Sequence, residues 1–227
     1  MINERFSLRN KVVDAFIMDP NARTVFLLCY EAEEGQKVFS LVSRDFTEPF
    51  NLIVISSIDW NKELSPYPMN PIFPDDPGYS GDGPAFLSLL EGEFIPAIKE
   101  KYGLNSRLYA IAGYSLAGLF ALYAGIKSTF FDAVISASGS LWFEGFVDYL
   151  KREGLSPSVR YVDLSLGNKE SNSKNAVLKT VEAKTRELYE HLKYLGIRVS
   201  LHMEEGGHFK DVEQRQAKAI FRYLKQV

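Results

Sequence analysis

Cysteine occurs once in these 227 residues, at Cys29. A single cysteine excludes an internal disulfide and a thiolate metal cage. Its place inside the apolar run TVFLLCY (24–30) marks it as an inert core thiol. A dominant charge is also missing: 26 Lys and Arg stand against 29 Asp and Glu, a formal net charge of −3, with no basic stripe. Nucleic acid and anionic membrane surfaces therefore find no electrostatic footprint here. No segment approaches the ~20 apolar residues of a membrane span. The start, MINERFSLRNKVVDAF, lacks the apolar core of about 7–15 residues that a signal peptide carries. A soluble cytoplasmic protein is the expectation.

Cofactor signatures are equally scarce. No His/Cys cluster has zinc spacing, and no Gly-x-Gly-x-x-Gly follows a strand. The glycines Gly118 and Gly125 have the wrong spacing for a phosphate loop and run through a predicted helix instead of preceding one. The sequence calls for no cofactor and no metal.

What is present is a composition 46% hydrophobic and 24% charged, enough to bury a full core, and one globular domain over residues 1–227 is expected. Apolar runs at 24–30, 50–58, 107–113, 131–138, 159–166 and 197–203 read as strands. Several are apolar almost throughout, as a parallel sheet covered on both faces requires. Helical stretches at 85–102, 116–127, 142–153, 174–195 and 210–225 lie between or after them. In the fourth, Val181, Leu188, Leu192 and Leu195 fall near three-and-four spacing. Strand and helix in alternation predict a doubly wound α/β sheet.

The connection at 59–83 stands out, since with Pro84 it holds six of the ten prolines. A loop of this length in a compact domain points to a binding wall, and dense proline gives it a fixed, extended path.

The stretch IAGYSLAGLF (111–120) places Ser115 where a strand turns at once into a helix, flanked at minus two by Gly113 and at plus two by Ala117. Small flanking residues are what such a turn demands, and it holds the hydroxyl out at the carboxyl edge of the sheet. A serine nucleophile needs a base. Of three histidines, His191 falls within a helix and His202 within a strand, where packed structural roles suit them. His208 follows Glu204-Glu205-Gly206-Gly207 in the loop after the last strand, where the glycines let the imidazole reach across the sheet edge. A carboxylate must then fix the imidazole tautomer. Glu170, in the loop after strand VRYVDLSL, gives the chain order Ser, acid, His. Glu205, three residues before His208, is a competing orienter; Asp163, within the strand, reads as a structural hydrogen-bonding group.

Taken together, GYSLAG after a strand, LEGEFIPAIKEKYG before it, SGSLW after the next, LGNKE, and GGHF near the end resemble the putative-esterase family of the α/β-hydrolases. That branch includes esterases of trilactone siderophores, S-formylglutathione hydrolases, feruloyl esterases and mycolyl transferases. The resemblance implies an α/β-hydrolase fold, a mainly parallel sheet flanked by helices with no separate cap domain. It also implies a serine hydrolase of carboxylic esters, with Ser115 as nucleophile, His208 as base, Glu170 as acid and the Leu116 N–H as one oxyanion donor. CYEAEEG stands where the family usually carries His-Gly after the first core strand, so the second donor is assigned to the N–H of Tyr30 or Glu31. An acyltransferase would use the same chemistry with another acceptor, and a binding protein with an impaired oxyanion hole would keep the scaffold. Trp60 and Tyr67 of the long loop, with Trp142 of SGSLW, are expected to wall the mouth above Ser115 and to favour aryl or bulky esters.

Overall fold

In the computed structural model, which describes residues 1–75 and 77–226, eight strands form one sheet. They are β1 (Ile2–Leu8), β2 (Lys11–Ile17), β3 (Thr24–Leu28), β4 (Asn51–Ser56), β5 (Tyr109–Tyr114), β6 (Ala133–Ala137), β7 (Tyr161–Gly167) and β8 (Arg198–Glu204). Their order across the sheet is β1-β2-β4-β3-β5-β6-β7-β8. β2 runs antiparallel to both neighbours; the other pairs are parallel.

The near-continuous apolar strands reflect burial on both faces. On β4, Ile53 and Ile55 enter one core while Leu52 and Val54 enter the other, and all four are fully buried. One face is covered by α1 (Ala32–Asp45) and, at the end of the chain, α8 (Val212–Leu224), which bring Val38, Phe39, Val42, Ala219 and Ile220 onto the sheet. The other is covered by α3 (Gly83–Leu89), α4 (Ile95–Tyr102), α5 (Leu116–Lys127), α6 (Phe146–Glu153) and α7 (Val181–Tyr194). A short turn, α2 (Trp60–Glu63), opens the long connection. This is the α/β-hydrolase fold, and the described residues form no separate cap.

Three features depart from the sequence reading. The β1–β2 hairpin lies outside the predicted strands because β1 is an edge strand with polar, half-exposed residues. Helix α1 was not predicted either, since only Val38, Phe39 and Val42, beside Gly35, mark its buried face. The predicted helix at 85–102 is interrupted by a π turn at Leu90–Phe94, where the Ile95 N–H reaches back to the Leu90 carbonyl. Pro96 follows immediately. Its ring would press on the carbonyl four residues back, and the wider turn relieves that clash.

Candidate active site

At the junction of β5 and α5, Ser115 has φ +59° and ψ −123°. A non-glycine residue held there stores on the order of 1–3 kcal/mol of strain. Neighbouring backbone over-determines it: the Ser115 N–H donates to the Ala137 carbonyl (3.1 Å), and the Ser140 N–H donates to the Ser115 carbonyl (3.0 Å). Gly113 is required by proximity, because a Cβ on it would collide with the backbone and Cβ of Ala117. Ala117 itself is fully buried and its methyl fits.

His208 arrives from the opposite side of the sheet edge. Gly206, at φ +103°, turns the loop after β8, and the loop is tied to the end of β7 by Gly206 N–H to Asn168 Oδ1 (2.9 Å) and Lys169 N–H to the Gly206 carbonyl (3.0 Å). The imidazole Nε2 then lies 3.0 Å from Ser115 Oγ, and Nδ1 lies 2.7 Å from Glu170 Oε2. Glu170 sits in a one-turn 3-10 helix (Glu170–Asn172) just past β7, its side chain almost wholly buried. Its second oxygen, Oε1, accepts from the Gly167 N–H (2.7 Å), the Ser138 hydroxyl (2.8 Å) and Arg215 (3.0 Å). Burial pushes this carboxyl's pKa up, but the hydrogen bond and charge of His208, with the Gly167 N–H and Ser138 hydroxyl, outweigh it and hold the pKa below the ordinary value.

The other candidates lie elsewhere. Glu205 is exposed and pairs with Lys210 (3.1 Å). Asp163, fully buried, accepts from Arg222, Ser200 and Tyr161, a structural network away from Ser115. His202 faces that network, 4.0 Å from Asp163, and His191 lies on α7.

Ser115, Glu170 and His208 open onto a cavity of about 330 Å³. Trp60 and Trp142 line it, with Phe73, Tyr79 and Phe209 completing an aromatic wall. Trp60, Asn61, Ile72, Phe73 and Tyr79 all come from the proline-rich connection, so that loop does supply one side of the cavity. It is fastened by paired Met69 and Tyr79 backbone hydrogen bonds (3.0 Å each) and by Asn175 Nδ2 donating to the Ile72 carbonyl (2.8 Å).

Tyr67 departs from expectation. Its ring packs edge-on against Phe143 and its hydroxyl donates to the Glu144 carbonyl (2.6 Å), outside the serine's cavity. Tyr30 departs too. Its ring is exposed, edge-on to Trp60. Burial raises the pKa of Glu34, and backbone hydrogen bonds from Glu31 and Tyr30 partly offset the rise. Glu34 is the third residue of α1, the position from which a carboxylate can face the helix start. The N–H groups of Tyr30 and Glu31, considered for the second oxyanion donor, therefore lie on the side of the helix start that faces the Glu34 carboxylate. The Leu116 N–H, at the first position of α5, has no acceptor within its own helix.

Several contributors were not foreseen: Ser138, Ser140, Tyr114 and Arg215. Ser140 Oγ lies 3.3 Å from Ser115 Oγ, and Tyr114 donates its hydroxyl hydrogen to the His208 carbonyl (2.6 Å). The first two stand in the small polar run SASGS at the carboxyl end of a core strand, which was the available signal. Arg215 shares the inward face of α8 with Ala219 and Tyr223, so the signal there was a charge at a core position.

A family model described as "Putative esterase" matches residues 36–212. "Uncharacterized protein YbbA" of Bacillus subtilis (strain 168) is 27% identical over 150 residues, 63% of this chain. The match spans 60% of that relative's own length. Among solved structures, the siderophore hydrolase EstA from Aspergillus nidulans is similar with a TM-score of 0.74 and 19% identity, covering 98% of this chain and 93% of its own. An IroE-like serine hydrolase from Shewanella oneidensis gives a TM-score of 0.78 at 16% identity, covering 99% and 80%. At these identities the structures establish a shared fold.

Proposed function

This chain belongs to the putative-esterase family, and we propose that it is a carboxylic ester hydrolase working through Ser115, His208 and Glu170. The observation that carries the reading is the series of hydrogen bonds from Ser115 Oγ through both imidazole nitrogens to Glu170, at a strained strand-to-helix elbow. Ser115 Oγ attacks the ester carbonyl while His208 Nε2 takes its proton. The imidazolium is steadied by Glu170, which its surroundings keep ionised. The tetrahedral oxyanion forms beside the Leu116 N–H, a donor of the kind worth about 3–4 kcal/mol in the transition state. His208 returns the proton to the leaving alkoxide; water, deprotonated by His208, then attacks the acyl carbon, the bond to Ser115 Oγ breaks, and His208 gives that proton to the serine oxygen.

The lining suggests the substrate class. Among the described residues around the cavity none is Lys or Arg, and its one carboxylate is Glu170. An uncharged ester with an aryl or bulky acyl group suits aromatic walls better than a polyanion does. Siderophore esters, siderophores being the class named in one structural neighbour, and hydroxycinnamoyl esters are the natural classes to assay, each as its neutral, metal-free form.

One observation favours a second reading, a binding module on the same scaffold: CYEAEEG places no glycine at Tyr30 or Glu31, and the Glu34 carboxylate faces their N–H groups and competes for them with an oxyanion. Turnover decides between them. On an aryl acetate, Ser115→Ala and His208→Ala should each lower kcat by at least about 1000-fold, and the double variant should be no worse, because members of one catalytic unit are not additive. A wild-type protein without turnover on any aryl or alkyl ester would favour the binding module.

A further inference from the structure

Arg215 has no part in the chemistry above, yet its side chain is only 1% exposed, as deeply buried as the apolar core. A guanidinium cannot shed its charge, so its burial demands a full set of acceptors. All of them belong to the groups that hold the imidazole. Nη1 donates to Glu170 Oε1 (3.0 Å), Tyr114 Oη (3.1 Å) and Ser138 Oγ (3.2 Å). Nη2 donates to the carbonyls of Glu205 (3.0 Å) and Gly207 (2.9 Å), which flank Gly206 on the approach to His208. Tyr114 passes the link on to the carbonyl of His208 itself.

We propose that Arg215 is a positioning residue for ester hydrolysis, one planar fork that fixes both the acid and the histidine loop, and so sets how His208 meets Glu170 and Ser115. This rests on the hydrolase reading above. The fork matters because β7, β8 and α8 supply the parts separately: Glu170 follows β7, His208 follows β8, and Arg215 on α8 bonds both the Glu170 carboxylate and the backbone just before His208. A lysine could supply the charge but not the two diverging donors.

The charge has its own consequence. A cation 3.0 Å from Glu170 partly neutralises the carboxylate, so the Glu170–His208 pair binds a proton less readily than it would alone. Removing the cation raises the pair's proton affinity wherever the proton sits. The other titratable or charged groups around the pair are Tyr114 from β5, Lys169 beside Glu170, and the exposed Glu205–Lys210 pair; Glu204, paired with Lys218, lies at the end of β8. None of these changes in the variants below.

The test is the pH profile of kcat and KM for Arg215→Gln and Arg215→Lys on a p-nitrophenyl ester, with Ser115→Ala as control. Arg215→Gln should lower kcat about 10–100-fold, the range typical of groups that orient a ligand or catalytic side chain. KM should stay within about threefold, and the acid limb of kcat/KM should move up by about one pH unit. Arg215→Lys should keep the wild-type limb while kcat still falls at least about fivefold. A folded Arg215→Gln with an unmoved limb, or a loss carried by KM, overturns the proposal. If Arg215→Gln does not fold, Arg215→Lys decides: wild-type kcat overturns the proposal, and reduced kcat with an unmoved limb supports it. Ser115→Ala separates the two readings, because activity retained there would sink the assignment of hydrolysis to Ser115 and His208 whatever Arg215 does.

Discussion

His208 Nδ1 meets Glu170 Oε2 at 2.7 Å, although Glu170 is 38 residues away and Glu205 only three. Sequence proximity loses because Glu205 points to solvent and Lys210. Glu170→Gln should therefore lower kcat by orders of magnitude, about 10⁴-fold where an amide imposes the wrong tautomer. Glu205→Gln should stay within about twofold. Steady-state kinetics on one aryl ester check both, and the reverse ranking would transfer the role to Glu205.

Stability should follow the same carboxylate. Glu170→Gln leaves the Arg215 charge buried without its counter-ion, a change that costs about 3–5 kcal/mol. The folded-state pKa of Glu170 is depressed, so its contribution is fully present above the ordinary carboxylate value of about 4.3 and is lost as pH falls through the lower, folded value. The gap in Tm between wild type and Glu170→Gln should be widest from about pH 5 upward and should narrow below about pH 4. Thermal melts across this range measure it; a gap that widens on acidification would contradict the sign.

Gly113 should tolerate nothing larger. A methyl there meets the Ala117 backbone, so Gly113→Ala must push α5 from β5 and displace Ser115. Overpacking of this kind costs about 1–3 kcal/mol, and urea denaturation should show that loss together with a fall in kcat. An unchanged midpoint would mean that the elbow has room to spare.

Much of this was legible in the chain. The six core strands, the Ser115 elbow and the meeting of Ser115, Glu170 and His208 at one sheet edge could be read because each leaves a local mark: an apolar run, small flanking residues, a glycine-rich loop. Arg215 left almost none, since its partners lie up to 101 residues away and only the packing of α8 brings them together. Tyr67 misled for a related reason. An aromatic in a long loop looks the same whether it faces a ligand or a neighbouring ring, and here Phe143 takes it.

The aromatic wall can be tested by contrast. Trp142→Ala and Trp60→Ala should each reduce the preference for benzoyl over acetyl esters of one alcohol, by up to about tenfold in kcat/KM, the worth of about 1–1.4 kcal/mol of aromatic contact. Tyr67→Ala should leave the ratio unchanged, because its ring lies outside the cavity. Equal ratios in all three would assign the tryptophans to packing.

The central claim is that Ser115 is an activated nucleophile. Incubating the folded protein with a fluorophosphonate and locating the adduct by peptide mass tests it most directly, since phosphonylation needs the hydroxyl, its base and the oxyanion donor together. The account predicts rapid, stoichiometric labelling of Ser115, slowed by orders of magnitude in His208→Ala. Labelling at another residue, or none in a folded sample, would contradict it.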